Sequence, residues 1–210
     1  MPPSRAKLIH HRWDMHALQA LGKRDPDELM RVFTEIKDLP STAIDTKVKT
    51  FGFGAPMQFN TFGKLTSLDT LLLLALRHHD PRSAIALVKL GASRHLSNSA
   101  NVFPLQAIFD AMAFFRLHPE GTQEKIGDEE DELLKQRSAY EALFSIVEEE
   151  LAAFYHDKKS KAEQELRELY QRFAPDRVPK IPSQLEAYAY REDVLLDSVK
   201  KKYIASLLTM

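Results

Sequence analysis

The stretch Ala75-Leu76-Arg77-His78-His79-Asp80-Pro81 decides how this chain folds, because its pattern already stands at Ala20-Leu21-Gly22-Lys23-Arg24-Asp25-Pro26. Both copies read Ala-Leu-x-x-x-Asp-Pro, and amphipathic sequence flanks both. Asp is a strong N-cap, and Pro is preorganised for the first helical position. Glu28, three residues after Asp25, completes the sequence of a capping box. Each copy therefore predicts one helix ending, a tight turn and a second helix starting. That is a helical hairpin whose arms bury their apolar faces between them, used twice.

Outward from these corners, the chain reads mostly as helix. Glycine is scarce, at seven of 210 residues, and Leu, Ala, Glu, Lys and Arg dominate the long stretches. Helices are expected over 13–23, 26–37, 67–78, 81–90, 104–117, 128–158, 160–173 and 183–207. Gly91 stands where a helix would end in the left-handed conformation, and Ser183-Gln184-Leu185-Glu186 reads as another capping box. One segment breaks the pattern. Residues 46–64 are rich in Phe, Thr and Gly without helical period, and predict a short β-hairpin or an extended loop. The proline-rich stretch 174–182 reads as a linker or a tight corner.

The second hairpin continues through Ala84, Leu87, Gly91 and Ala92 to Phe103-Pro104-Leu105-Gln106. Residues 70–105 resemble an ankyrin repeat and the start of the next. Thr70 stands at the family's opening Thr, Ala75 at its first-helix Ala, and Leu87, Gly91 and Ala92 at its closing Leu and Gly-Ala. Pro104 follows Leu71 by 33 residues, the ankyrin period. Leu71, Leu73 and Phe103 depart from the family's Pro, His and Thr, and Asp80-Pro81 replaces its inter-helix Gly. The two corners lie 55 residues apart, Pro26 to Pro81. Segment 46–64 houses the excess over one period as an enlarged finger between repeats. A helical-hairpin repeat of another kind would use the same corners.

The expected fold is thus all-α: an ankyrin-like helical-hairpin solenoid over residues 1–119, with the finger insert 46–64, and a helical C-terminal cap over 120–210. Apolar positions three or four apart, from Tyr140 through Leu143, Phe144, Val147, Leu151 and Phe154, mark one stripe on the first helix of that extension.

Charge and composition exclude several function classes. Net charge is −1, which does not suit a general binder of nucleic acid or membrane surfaces. Under this balance lies an uneven distribution. Residues 120–157 hold twelve acids and three bases, whereas Arg5, Lys7, Arg12, Lys23 and Arg24 face only Asp14 in the first 24 residues. The longest apolar run, Leu71–Leu76, is six residues, far below the roughly 18 of a membrane helix. No cysteine is present, so disulfides, thiolate metal sites and cysteine nucleophiles are out. The first residues show no apolar leader, and cytoplasmic residence is the expectation, in a host cell if the protein is a delivered effector.

Motifs of catalysis and cofactor binding are weak. His11 and His16, five apart, do not share a helical face as metal ligands four apart do. Phe51-Gly52-Phe53-Gly54 lacks the third glycine of a dinucleotide fingerprint. The acid runs 128–132 and 148–150 show no paired carboxylates set apart for acid-base work. No catalytic residue, metal site or cofactor is assigned. The resemblance instead implies protein-protein recognition through finger tips and the concave helical face, by a non-catalytic adaptor, inhibitor or effector. Its partner-binding residues would be Phe51, Phe53, Met57 and Phe59 on the finger, Arg77 and His78 on the concave face, and Arg94 and His95, with Asn98, after Gly91. Two rival readings predict different surfaces. An enzyme would need a pocket between solenoid and C-terminal helices, with acids of 128–132 facing His78 or His79. A nucleic-acid binder would use the N-terminal bases and Lys200–Lys202. The aromatic finger is either core or an exposed patch. Phe51→Ser with Phe53→Ser separates the two: an unchanged melting temperature marks exposed rings, and a large drop marks core.

Overall fold

The computed structural model describes residues 13–36, 39, 42–49, 68–118 and 135–204. Both Ala-Leu-x-x-x-Asp-Pro corners are built bond for bond alike. In the first, between α1 (Trp13–Gly22) and α2 (Pro26–Glu35), the Asp25 N–H donates to the Ala20 carbonyl at 2.9 Å and the Arg24 N–H to the Leu21 carbonyl at 3.0 Å. In the second, between α3 (Leu71–Arg77) and α4 (Pro81–Lys89), Asp80 donates to Ala75 and His79 to Leu76, both at 3.0 Å. This paired closure is a Schellman turn, which needs a left-handed residue. Arg24 (φ 53°) and His79 (φ 48°) supply it, although neither is glycine. The same aspartate then caps the next helix. Asp25 Oδ1 accepts from the Glu28 N–H at 2.9 Å, and Asp80 Oδ1 from the Ser83 N–H at 3.1 Å. One residue thus closes a helix and opens its partner, and the shared pattern follows from that double use.

The capping-box expectation at Asp25 is half met. Glu28 does not reach back; its carboxylate pairs with Arg31 at 3.1 Å, because the Asp25 N–H is already spent on Ala20. At Ser183 the expectation fails. The Ser183 hydroxyl donates to the Lys180 carbonyl at 2.9 Å, inside a helix that begins earlier.

Helix α4 ends as expected at Gly91 (φ 92°), where Ala92 and Gly91 donate to the Leu87 and Val88 carbonyls. Helix α5 (Pro104–Leu117) and helix α6 (Arg137–Ile146) pack together as a third pair. The three pairs form two rows. Helices α1, α3 and α5 touch in sequence, and so do α2, α4 and α6. Tyr140 of α6 is buried against Phe115 of α5, ring centroids 5.6 Å apart, and its hydroxyl lies 3.4 Å from His79 Nδ1 at the second corner.

Strands β1 (Lys47–Lys49) and β2 (Leu68–Thr70) pair antiparallel, Lys47 opposite Thr70 and Lys49 opposite Leu68. The hairpin base therefore extends beyond 46–64, and residues 50–67 lie outside those described. Helix 67–78 is the expectation for the first arm of the second hairpin. Leu68–Thr70 are strand instead, because Thr70 ends β2 and caps α3, its hydroxyl accepting from the Leu73 N–H at 3.2 Å.

The chain divides into two compact units, Met1–Val147 and Glu148–Met210. Helix α6, which the sequence reading places beyond a division at 119, stands in the first because it is the second arm of the third pair. The expected helix 128–158 is interrupted at Val147, and α7 runs unbroken over Glu148–Phe173. Three glutamates, Glu148–Glu150, open α7, and acids are favoured at that end of a helix. In the second unit, the proline-rich corner is a 3-10 helix, Pro175–Lys180, leading into α8 (Ile181–Ala187) and α9 (Glu192–Ile204). The expected helix 183–207 is thus split, at the left-handed Tyr190 (φ 65°). Its core joins Leu166, Tyr170, Ile181, Leu185, Leu195 and Val199.

Asp25→Ala and Asp80→Ala should each lower stability by about 0.5–2 kcal/mol in urea titrations, and Asn at either position should retain most of it.

Candidate interaction surface

Helix α3, LLLLALR, has no solvated face; all seven residues are buried. Helices α1, α4 and α5 surround it, and the 3-10 turn Ala43–Asp45 and strand β2 pack on it as well. A helix so enclosed must hide the charges at its ends. Arg77 is 2% exposed and Asp69 is fully buried. They form a two-pronged ion pair, Arg77 Nε to Asp69 Oδ2 at 2.8 Å and Nη2 to Oδ1 at 3.2 Å. Asn98 Nδ2 adds a third bond to Asp69 Oδ1 at 2.9 Å.

This cluster ties three pieces of chain together: β2, the end of α3, and the loop after α4. Asn98 also shapes its own loop. Its side-chain oxygen accepts from the Ala100 and Val102 N–H groups, both at 2.9 Å, while its N–H donates to the Val102 carbonyl at 2.9 Å. With Asn101 left-handed (φ 60°), residues 98–102 make a compact hairpin-like turn. Ser99 then accepts from the Leu68 N–H of β2 at 3.0 Å. On the other strand's side, Asp45 Oδ1 accepts from the Ser93 N–H at 2.7 Å. The β1–β2 base and the 93–103 loop are thereby held side by side.

The expected site residues fare unequally. Phe51, Phe53, Met57 and Phe59 lie outside the described residues. Arg77 is a correction: its guanidinium is locked inside by Asp69 and offers nothing to a partner. The turn 43–45, with Ala43 and Ile44 buried, packs on the helix that carries it. Asn98 is likewise buried, at 3% exposed, because it serves the cluster. His78 is half-buried at the corner, and its carbonyl accepts from Arg24 Nη2 at 3.0 Å. Arg94 is half-buried and His95 exposed, so this loop does reach the surface. Asp69 was missed, and Asn98 was read as a surface residue rather than a member of the cluster. The six-residue apolar run was the available signal, since a helix apolar all round is buried, and charges flanking it need partners.

Other candidate chemistry is sparse among the described residues. They hold no group of three or more His, Asp or Glu able to bind a metal, and no helix long and apolar enough to cross a membrane. An open depression beside His16, Glu28, Arg31 and Glu35 encloses about 170 Å³, below the roughly 300–1,000 Å³ of small-molecule sites. Acids 128–132 lie outside the described residues, as do Arg5, Lys7 and Arg12. Lys200 pairs with Glu165 at 2.7 Å, and that bond raises its pKa.

The class these observations define is a mostly helical protein with one small two-stranded sheet. Comparison with family models, with characterised proteins and with solved structures finds no match for the chain.

Two measurements test this geometry. Arg77→Met strands a buried carboxylate, and should cost about 3–5 kcal/mol of stability; adding Asp69→Leu should return part of that loss. His78 gives a pH signature. Burial first, then the Arg24 and Arg77 charges, hold its pKa below the usual 6.5, against the pull of Asp80 and Asp69. The folded protein binds this proton less readily than the unfolded chain. Stability should therefore fall as pH drops through the ordinary imidazole range toward the lower folded pKa. NMR titration should place the His78 midpoint below 6.5, and Arg24→Gln should move it upward.

Proposed function

We propose that the first unit is an ankyrin-like solenoid and that the protein is a non-catalytic protein-recognition module, acting in the cytoplasm as an adaptor, inhibitor or effector. One observation carries the reading. The base of the finger is fixed by the buried Asp69–Arg77–Asn98 cluster, and the chain between its strands, residues 50–67, carries Phe51, Phe53, Met57, Phe59 and Phe62. Large apolar side chains on a segment anchored at both ends suit protein binding. Aromatic residues are enriched among binding hot spots, and a preorganised base lowers the ordering cost of association.

The repeated corners and the two rows of helices support the solenoid. The first two pairs share one corner geometry, and each row places like arms together. On this reading the fingers are the segment between β1 and β2 and the 93–103 loop, one before and one after the helix pair α3–α4. The closed front of α3 directs the reading toward finger tips rather than a concave groove.

Affinity capture with mass spectrometry, using wild type and Phe51→Ser/Phe53→Ser in parallel, tests the proposal. A partner held by wild type and lost by a variant of unchanged melting temperature is the expected result. Equal retention by both, or no retained partner, would overturn it.

A further inference from the structure

Helix α4 turns one narrow stripe outward. Pro81, Ser83, Ala84, Ala86, Leu87 and Val88 are buried, Arg82 and Lys89 are exposed, and Ile85 between them is half-buried. Positions 82, 85 and 89 share one helical face, and the two cations stand two turns, about 10 Å, apart. Acids are few along this part of the chain. Residues 71–118 contain only Asp80 and Asp110. Asp80 is buried capping α4, and half-buried Asp110 accepts from Gln106 Nε2 at 2.9 Å. Exposed His95 and half-buried Arg94 continue the basic character past Gly91. The helices packed against α4 carry acids of their own, Asp27, Glu28 and Glu35 on α2 and Glu141 on α6; Glu28 pairs with Arg31 and Glu141 with Arg137.

We infer that this face of α4 docks an acidic amphipathic segment of a partner protein, its carboxylates on Arg82 and Lys89 and its apolar residue on Ile85. The inference rests on the protein-recognition reading and adds the partner's chemistry. Charge complementarity of this kind sets orientation and association rate. Nucleic acid suits the stripe less well. Phosphate-driven binding draws on several cations, and here an isoleucine separates two, on a chain of net charge −1.

The probe is a fluorescent helical peptide with a central Leu and Glu residues two turns apart, compared with its Gln counterpart and a single-stranded DNA oligonucleotide. In anisotropy titrations with the full chain, the Glu peptide should bind, weaken as salt rises, and exceed the Gln peptide by about tenfold or more. Arg82→Glu/Lys89→Glu should abolish that binding, and Arg82→Gln/Lys89→Gln should reduce it. Lys201→Glu/Lys202→Glu should leave it intact. No binding of the Glu peptide, or binding indifferent to Arg82→Glu/Lys89→Glu, overturns the inference. DNA binding lost by the same pair of substitutions, without peptide binding, would assign the face to nucleic acid instead. Should a partner captured through the finger be retained by Arg82→Glu/Lys89→Glu, the α4 assignment alone falls. Absence of both peptide binding and any captured partner with the wild-type protein would remove the recognition reading as well.

Discussion

The first unit depends on one buried ion pair. Asp69 and Arg77 bracket a helix with no exposed side, so neither charge can reach water. Desolvating two ions is expensive, and their attraction repays it only with good geometry and further hydrogen bonds. Both are present: the guanidinium grips the carboxylate with two nitrogens, and Asn98 supplies another donor. The pair also fixes register. A slip of β2 by one residue would move Asp69 to the opposite face of the strand and leave Arg77 buried alone. The strand, the helix and the loop after α4 are therefore specified together rather than one by one.

The corners act at a different level. Each uses a left-handed residue that bears a long or bulky side chain where glycine would be easier. The side chains have a use. Arg24 leaves its own corner to donate to the His78 carbonyl of the next, and His79 meets Tyr140 of the third pair. Successive hairpins are linked through their turns as well as through their packed faces. That link also explains the His78 environment, since the Arg24 guanidinium sits beside an imidazole that burial already disfavours as a cation.

Much of the helical layout was legible. Asp-Pro punctuation marked both corners, Gly91 marked the end of α4, and apolar spacing marked α5, α6 and α7. What stayed hidden was set by contacts between distant residues. Strand β2 reads as helix from Leu68 onward because its identity comes from pairing with Lys47–Lys49, not from its own three residues. The break at Val147 lies inside a continuous apolar stripe, so periodicity carried the helix through it. Arg77 looked like a surface cation because its partner lies eight residues back on another element. Of the expected contact residues, Arg94 and His95 reach the surface, and Arg77 is enclosed along with the rest of α3. The α4 stripe was readable in principle from Arg82, Ile85 and Lys89, yet only the burial of every neighbouring position singles it out.

The enclosure of α3 bears on how this unit comes apart. Arrays of helix pairs ordinarily open from an end, each pair held only by its neighbours, in a sequence of nearly independent steps. Here the turn at 43–45 and strand β2 fold across the middle helix while belonging to the connection between the first and second pairs. Freeing α3 requires that cover to lift, the first pair's connection to loosen and the 98–102 turn to release Asp69. Amide protons of α3 would then exchange only through the largest opening available to the unit, and the middle pair would behave as a keystone whose loss is felt by both neighbours at once.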